Sequence, residues 1–273
     1  MDGWQGAQAR SQTEEGGHER ARTEELPRVS RRPDGRETVN DPGNGSVARR
    51  KIVVDLIDRT IPLPRPADVL DVGCGTGAEM EAFQRYGNVW GVDAEIRMVE
   101  ACRRRGLKNV DVAQAERLPF AGDTFDLVTC LDTIEHIKND GDAVRELTRV
   151  GKRGSYLCLT VPAGPRLFGP YDTLAGHYRR YNRKSLRALL AGGGYTILRM
   201  THYNSVFYPP IAMVRLATPH GSWDQAKTLD PPARPINALM GRVFASERLW
   251  LRFVDVPFGL SLFAIARNDR ARS

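Results

Sequence analysis

Two aspartates and three glycines at fixed spacing carry the clearest chemistry in this chain: Asp71-Val-Gly73-Cys74-Gly75-Thr-Gly77, then Asp93. Glycines placed this way let the backbone approach a ligand that a Cβ would exclude, and they permit a tight strand-to-helix turn. A carboxylate about twenty residues beyond the first glycine is suited to accept hydrogen bonds from ribose hydroxyls. Gly73, Gly75 and Ala78 also satisfy the looser dinucleotide pattern GxGxxA. Loop and acid together predict a bound nucleotide without saying which one. A turn that binds nothing is the competing reading for the glycines, and a helix N-cap is the competing reading for Asp93.

Such a loop works only if a strand delivers it and a helix receives it. ADVLDV (67–72) reads as a buried strand, followed by a helix over 77–86. A strand at 88–93, a helix from Glu95 to Arg105, a short strand at 110–113 and a strong one at 125–131 follow. A helix near 140–150, a strand at 155–161, a helix at 184–191 and strands at 195–203 and 260–266 complete the pattern. Strand–helix alternation predicts an α/β fold: a seven-stranded, mostly parallel sheet with helices on both faces. Ligands of such sheets bind at the carboxyl ends of the strands, where every motif named here lies.

Asp71 two residues before the first glycine and the CGTG tail make DVGCGTG resemble the first motif of the class I S-adenosylmethionine (AdoMet)-dependent methyltransferases, which have a Rossmann-like fold. VDAEIRMVEAC (92–102) resembles the second strand and helix of that family, and AERLPFAGDTFDLVTCLDTIEHI (115–137) is similar to its adenine-side and fourth-strand region. The resemblance covers residues 50–162. It implies AdoMet as cofactor, with Asp71 anchoring the amino group and Gly73, Cys74, Gly75 and Gly77 passing close to the methionine part. It further implies that Asp93 holds both ribose hydroxyls, that Ala94 and Met98 pack around ribose and adenine, that Ala115 and Glu116 border the adenine, and that Leu131 belongs to the cofactor-binding set. Gln114 departs from the Asp that many members carry at the adenine amino group.

The resemblance also places Asp132, Glu135 and His136 opposite the transferred methyl. Positioning supplies most of the catalysis in an in-line methyl displacement, and a base is needed only for a hydroxyl or protonated amine. His136 is the expected base, with Glu135 and His177 beside it, against the alternative of a structural histidine that bridges the loop. Tyr178, Arg179, Arg180 and Tyr181, next to His177 and with Asp132, are the expected substrate contacts. Their alternative is a helix-entry loop capped by Asn182. The expected activity is O- or N-methylation of a small molecule.

The remaining sequence bounds this reading. Residues 1–46 hold hardly any large apolar side chain and are expected to be disordered, so the domain is expected over 47–273. Residues 204–259 intervene where the family has a hairpin, and they are expected to form a helical cap over the substrate pocket. A dimer contact or a peripheral membrane contact is the alternative there, because Arg215, Arg242, Arg248 and Arg252 interleave with apolar residues. The net charge of +7 could suit nucleic acid, but the arginines are scattered and no NPPY or DPPY tetrapeptide is present. The alternatives are a methyltransferase of nucleic acid or of a lipid-linked substrate and, further off, a nicotinamide-dependent oxidoreductase. Cys74, Cys102, Cys130 and Cys158 recur at equal intervals without shared flanks, and no His, Asp and Glu cluster at ligand spacing stands out. No metal is therefore expected. The N-terminus lacks the apolar run of a signal peptide, and a cytoplasmic protein is expected. Nothing in the sequence sets an oligomeric state.

Overall fold

The computed structural model describes residues 44–217 and 234–270. Seven strands form one sheet in the order β3-β2-β1-β4-β5-β7-β6. The strands are β1 (Ala67–Val72), β2 (Gly87–Asp93), β3 (Val110–Val112), β4 (Phe125–Leu131), β5 (Gly151–Pro162), β6 (Tyr195–Tyr203) and β7 (Ser261–Asn268). Neighbours from β3 across to β5 run parallel, and β7 inserts antiparallel between β5 and β6. Because β1 connects outward to β2 on one side while β4 lies on its other side, the strand order reverses at the β1–β4 seam. A crevice outside the carboxyl ends of the strands follows from that reversal.

Successive side chains along each strand feed two cores. One core packs α4 (Asp140–Val150) and α6 (Arg183–Gly192), with the short α5 (Pro170–Leu174) between them in the chain, on the sheet through Val144, Leu147, Leu186 and Leu190. The other packs α1 (Asn44–Thr60), α2 (Ala78–Phe83), α3 (Ile96–Arg104) and α8 (Arg234–Leu251) through Ile52, Leu56, Phe83, Val99 and Leu251. Val69 and Leu70 face opposite ways, one into each core. α1 starts at Asn44, three residues before the expected start of the domain, and it buries Ala48, Ile52, Val53, Leu56 and Ile57 at helical spacing before Pro62 stops it. The segment 1–43, most of the expected disordered tail, lies outside the described residues.

The largest differences from expectation lie at β5 and in the 204–259 region. β5 begins four residues early, because Gly151 pairs with Phe125 before the register shifts and Leu127 pairs with Tyr156. Gly151, Lys152, Arg153 and Gly154 interrupt the apolar pattern, so periodicity could not find that extension. The two described helices of the 204–259 region pack against different parts of the domain. α7 (Tyr208–Ala217) packs near residues 165–167, where Arg215 donates to the Leu167 carbonyl at 3.0 Å. α8 instead lies against α1, with an Arg252–Asp55 ion pair at 2.8 Å and Phe244 stacked on Tyr203 at 6.0 Å. Fully buried Glu247 on α8 accepts the N–H groups of Asn204, Ser205 and Val206 at 2.6–3.0 Å, which ties α8 to the end of β6. Residues 218–233 of the expected cap lie outside the described residues.

Candidate functional site

β1 ends at Val72, and the chain turns through residues 73–77 into α2. Gly73 has φ +75°, and a Cβ there would sit 2.2 Å from the Thr133 hydroxyl oxygen, so close packing alone demands glycine. Gly75 has φ +54° and open space where its Cβ would point, so only the left-handed backbone and room for a ligand argue for glycine there. The Gly75 N–H donates to Asp93 Oδ2 at 2.9 Å, and the Glu95 N–H donates to Oδ1 at 2.9 Å. Asp93 therefore braces the approach to α3 without capping it, because the N-cap residue is Glu95, whose N–H it accepts. A carboxylate has about four lone-pair directions, so roughly two remain for other donors. Cys74 is buried, its thiol pushed up by a hydrogen bond with Cys102 and by burial. Cys102 in turn donates from Sγ to the Gly75 carbonyl at 3.2 Å.

The seam places Asp71 opposite Thr129. Asp71 is 2% exposed, and Thr129 Oγ1 donates to its Oδ1 at 2.6 Å. Burial pushes the Asp71 carboxyl up to about 7, against the lowering effect of Thr129. Asp132, just past β4, is held at φ +49°, a left-handed conformation that is costly for a residue with a Cβ. The Thr160 hydroxyl donates to its Oδ1 at 2.9 Å, and Arg49 pairs with its Oδ2. Arg49 also bonds Glu79 on α2 at 2.7 Å. Burial opposes the Arg49 charge, but Asp132 and Glu79 outweigh it and hold the guanidinium protonated. Three elements (α1, α2 and the end of β4) thus meet through one cation. Ala115 and Leu131 are buried, Met98 and Glu116 half-buried and Ala94 exposed.

Beyond Asp132 a 3₁₀ turn, Ile134–His136, presents Glu135 and His136. Glu135 is 1% exposed, and its Oε2 has no hydrogen-bond partner. Burial and the nearby Asp132 push its carboxyl well above the ordinary range. His177 returns from far along the chain because the Tyr178 N–H donates to the Glu135 carbonyl at 2.8 Å, setting its ring edge-on to His136 at 4.7 Å. Burial and then His177 lower the His136 pKa, which keeps the ring neutral near pH 7. The expected trio Glu135, His136 and His177 is therefore brought together.

The expected substrate contacts divide. Arg180 is buried against Asp172, at 2.7 Å from Nη2, and donates to the Ala163 carbonyl at 3.0 Å. Tyr181 is 3% exposed and donates its hydroxyl to Asp140 at 2.7 Å. Arg179 pairs with Asp140 at 3.0 Å, and Asn182 caps α6 by accepting the Ser185 N–H at 2.8 Å. The hydrogen-bonding groups of Arg180 and Tyr181 go to the protein's own groups, which matches the helix-entry reading. Tyr178, by contrast, is exposed.

Sequence reasoning missed Arg49, Glu79, Thr129, Asp172 and Arg215. Arg49 carried a faint signal, a cation beside the apolar stripe of α1. Thr129 carried another, as the polar interruption of an otherwise apolar run in β4. Asp172 carried none, and Arg215 was read only as one of the arginines interleaved with apolar residues.

Residues 70–159 match the family model described as a methyltransferase domain. The chain is 38% identical over 122 residues to the methyltransferase YcgJ of Bacillus subtilis, covering 41% of this chain and 47% of that protein. The crystal structure of YcgJ matches with a TM-score of 0.52 at 22% identity, covering 82% of this chain and all of that one, a likeness of fold. A ubiquinone biosynthesis O-methyltransferase of Hahella chejuensis is 34% identical over 123 residues, 42% of this chain and 51% of its own length. A norajmaline N-methyltransferase of Rauvolfia serpentina is 30% identical over 107 residues, 36% of this chain and 37% of its own. The chain spans about half the length of the first of these curated relatives.

Proposed function

We propose, from the premise that this chain belongs to the class I AdoMet-dependent methyltransferase family, that it transfers the methyl of AdoMet to an oxygen or nitrogen of a small-molecule acceptor and releases S-adenosylhomocysteine. The observation that carries this is the tie from Gly75 to Asp93, which sets an open glycine turn beside a carboxylate with free lone pairs. That arrangement fits a nucleoside with an amino-acid tail. Asp93 would hold the ribose hydroxyls, Asp71 the amino group, and Ala115 and Leu131 would pack the adenine side. The cofactor supplies a methyl on a sulfonium, already activated for displacement.

What the chain adds is position and a place for the acceptor's proton. Arg49 holds Asp132 and Glu79 in one arrangement, and Asp132 is locked again by Thr160. His136, neutral near pH 7, stands beside Asp132 and can receive a proton from a hydroxyl or ammonium acceptor. Relatives named for O- and for N-methylation support a small acceptor and keep both atoms in view. A lipid-linked acceptor is the second reading, favoured by the exposure of Met213 at 68%, Leu216 at 65% and Phe253 at 84%. Sedimentation with anionic liposomes that leaves the protein in the supernatant removes it.

Calorimetric titration with AdoMet, with NADH as the control, tests the main reading. Saturable AdoMet binding without NADH binding is expected. NADH binding alone would move the chain to the oxidoreductases, and binding of neither would leave a methyltransferase fold without the activity.

A further inference from the structure

Glu135, His136 and His177 come from two segments far apart in sequence, yet each offers a ligand atom within 4.8 Å of the others. An ion about 2.0–2.1 Å from its ligands spaces them roughly 3.3 Å apart in a tetrahedron, so small side-chain rotations suffice to close the set. Three further observations point the same way. The Glu135 Oε2 is buried and unpartnered, and the cations near it are already engaged, Arg49 with Glu79 and Asp132, and Arg180 with Asp172. A buried acceptor left alone costs on the order of 1–3 kcal/mol, so its conformation is accounted for only if something else reaches it.

The two imidazoles are also held as ligands are held. His177 Nδ1 lies 3.0 Å from Asp172 Oδ1, and Asp172 is itself fixed by Arg180 and by Arg215, the latter at 3.0 Å. The Gly176 backbone lies beside Nδ1 of His136. A carboxylate on one ring and a backbone group on the other set ring orientation and tautomer, and they leave one nitrogen of each ring for an ion. No such site was expected from the sequence, because Glu135-His136 alone is too little and nothing linear connects the pair to His177.

We infer that Glu135, His136 and His177 form a site for one divalent transition-metal ion of the zinc or cobalt type, with coordination positions left over for the acceptor. Two imidazoles and one carboxylate favour such an ion over Mg²⁺ or Ca²⁺, which prefer all-oxygen sets. This deepens the proposed methyl transfer and rests on it for its consequence: the acceptor is a hydroxyl compound. A hydroxyl on the ion loses its proton to solvent near neutral pH. The oxygen lone pair then forms the new C–O bond, the methyl–sulfur bond breaks, and its electrons stay on sulfur. His136 is then a ligand and not the proton acceptor.

The test uses the full chain, stripped with EDTA and titrated with Co²⁺, whose visible bands report its ligands, with AdoMet affinity measured on the same preparations. One equivalent of Co²⁺ is expected, without a thiolate charge-transfer band. His136→Ala and His177→Ala should each weaken it by about tenfold or more while AdoMet affinity stays unchanged. Because His136 is exposed, its alanine variant keeps the fold, and AdoMet binding reports that directly. Absence of a Co²⁺ spectrum in the unaltered chain, a thiolate band, or equal affinity in both variants overturns the site. Histidine-dependent Co²⁺ binding without AdoMet binding would leave the metal site standing and remove the methyltransferase reading. AdoMet binding without Co²⁺ binding would do the reverse.

Discussion

The cofactor corner and the acceptor corner lie side by side at the carboxyl ends of the strands, but they are made of different material. The proposed cofactor corner is built of backbone: a glycine turn between β1 and α2 meets Asp93 only 18 residues beyond Gly75. The proposed acceptor corner is built of side chains, and their partners are distant. Arg49 reaches Asp132 across 83 residues, and Arg215 reaches Asp172 across 43. A site built from contiguous backbone leaves a motif, because residue types and spacing are constrained together. One assembled from side chains on separate elements constrains each residue singly and leaves no pattern in the chain.

The sharpest way to break this comparison is to remove the hub of the acceptor corner. Asp172 is fully buried, with His177, Arg180 and Arg215 around it; burial pushes its carboxyl up, but His177, Arg180 and the Gly169 N–H outweigh that and hold it far below the usual range. Asp172→Ala strands two arginines and should cost about 3–5 kcal/mol in denaturant unfolding. A loss of only a few tenths would mean that this corner is not held together by the network.

Asp93→Ala comes next, and it strikes the other corner. Losing charge-assisted bonds to two ribose hydroxyls should weaken AdoMet by about 3 kcal/mol, roughly a hundredfold, as read by calorimetry. Global stability should change less than in Asp172→Ala. Unaltered affinity would displace the cofactor from the glycine turn.

A third expected effect lies on the seam between the corners and depends on pH. The Asp71 carboxyl is raised to about 7 in the folded chain, against about 3.9 when unfolded. The folded state therefore holds a proton that the unfolded state releases. Its contribution to stability is complete below about pH 4 and is lost as pH rises to about 7, at no more than about 1.4 kcal/mol per pH unit. Thermal unfolding of the free protein should show that decline between pH 5 and 7, and Asp71→Asn should abolish it. Parallel curves for the two proteins would show that Asp71 is already ionised.

Local signals made much of the fold legible. The bounds of β1, β4, α4 and β6 coincide with their apolar patterns, because each is a short buried element whose period declares it. Asn182 announced the start of α6 by its type and position. The early start of β5 was illegible, since two glycines and two cations pair there only because β4 lies alongside. The helical periods of the 204–259 region were legible, but the packing partners of its helices were not. α8 is claimed by α1 and by the end of β6 through Glu247, while α7 goes to the loop after β5.

By itself the sequence determined the alternation of elements, the glycine turn with its acid, and the pairing of Glu135 with His136, all of them relations between near neighbours. Only the tertiary structure decided that Arg49 clamps Asp132, that Arg180 and Tyr181 turn inward, and that His177 completes a cluster with Glu135 and His136. The physical reason is that a buried charge is tolerated only with a partner in space. Which partner it finds depends on how the elements pack, and no spacing along the chain records that.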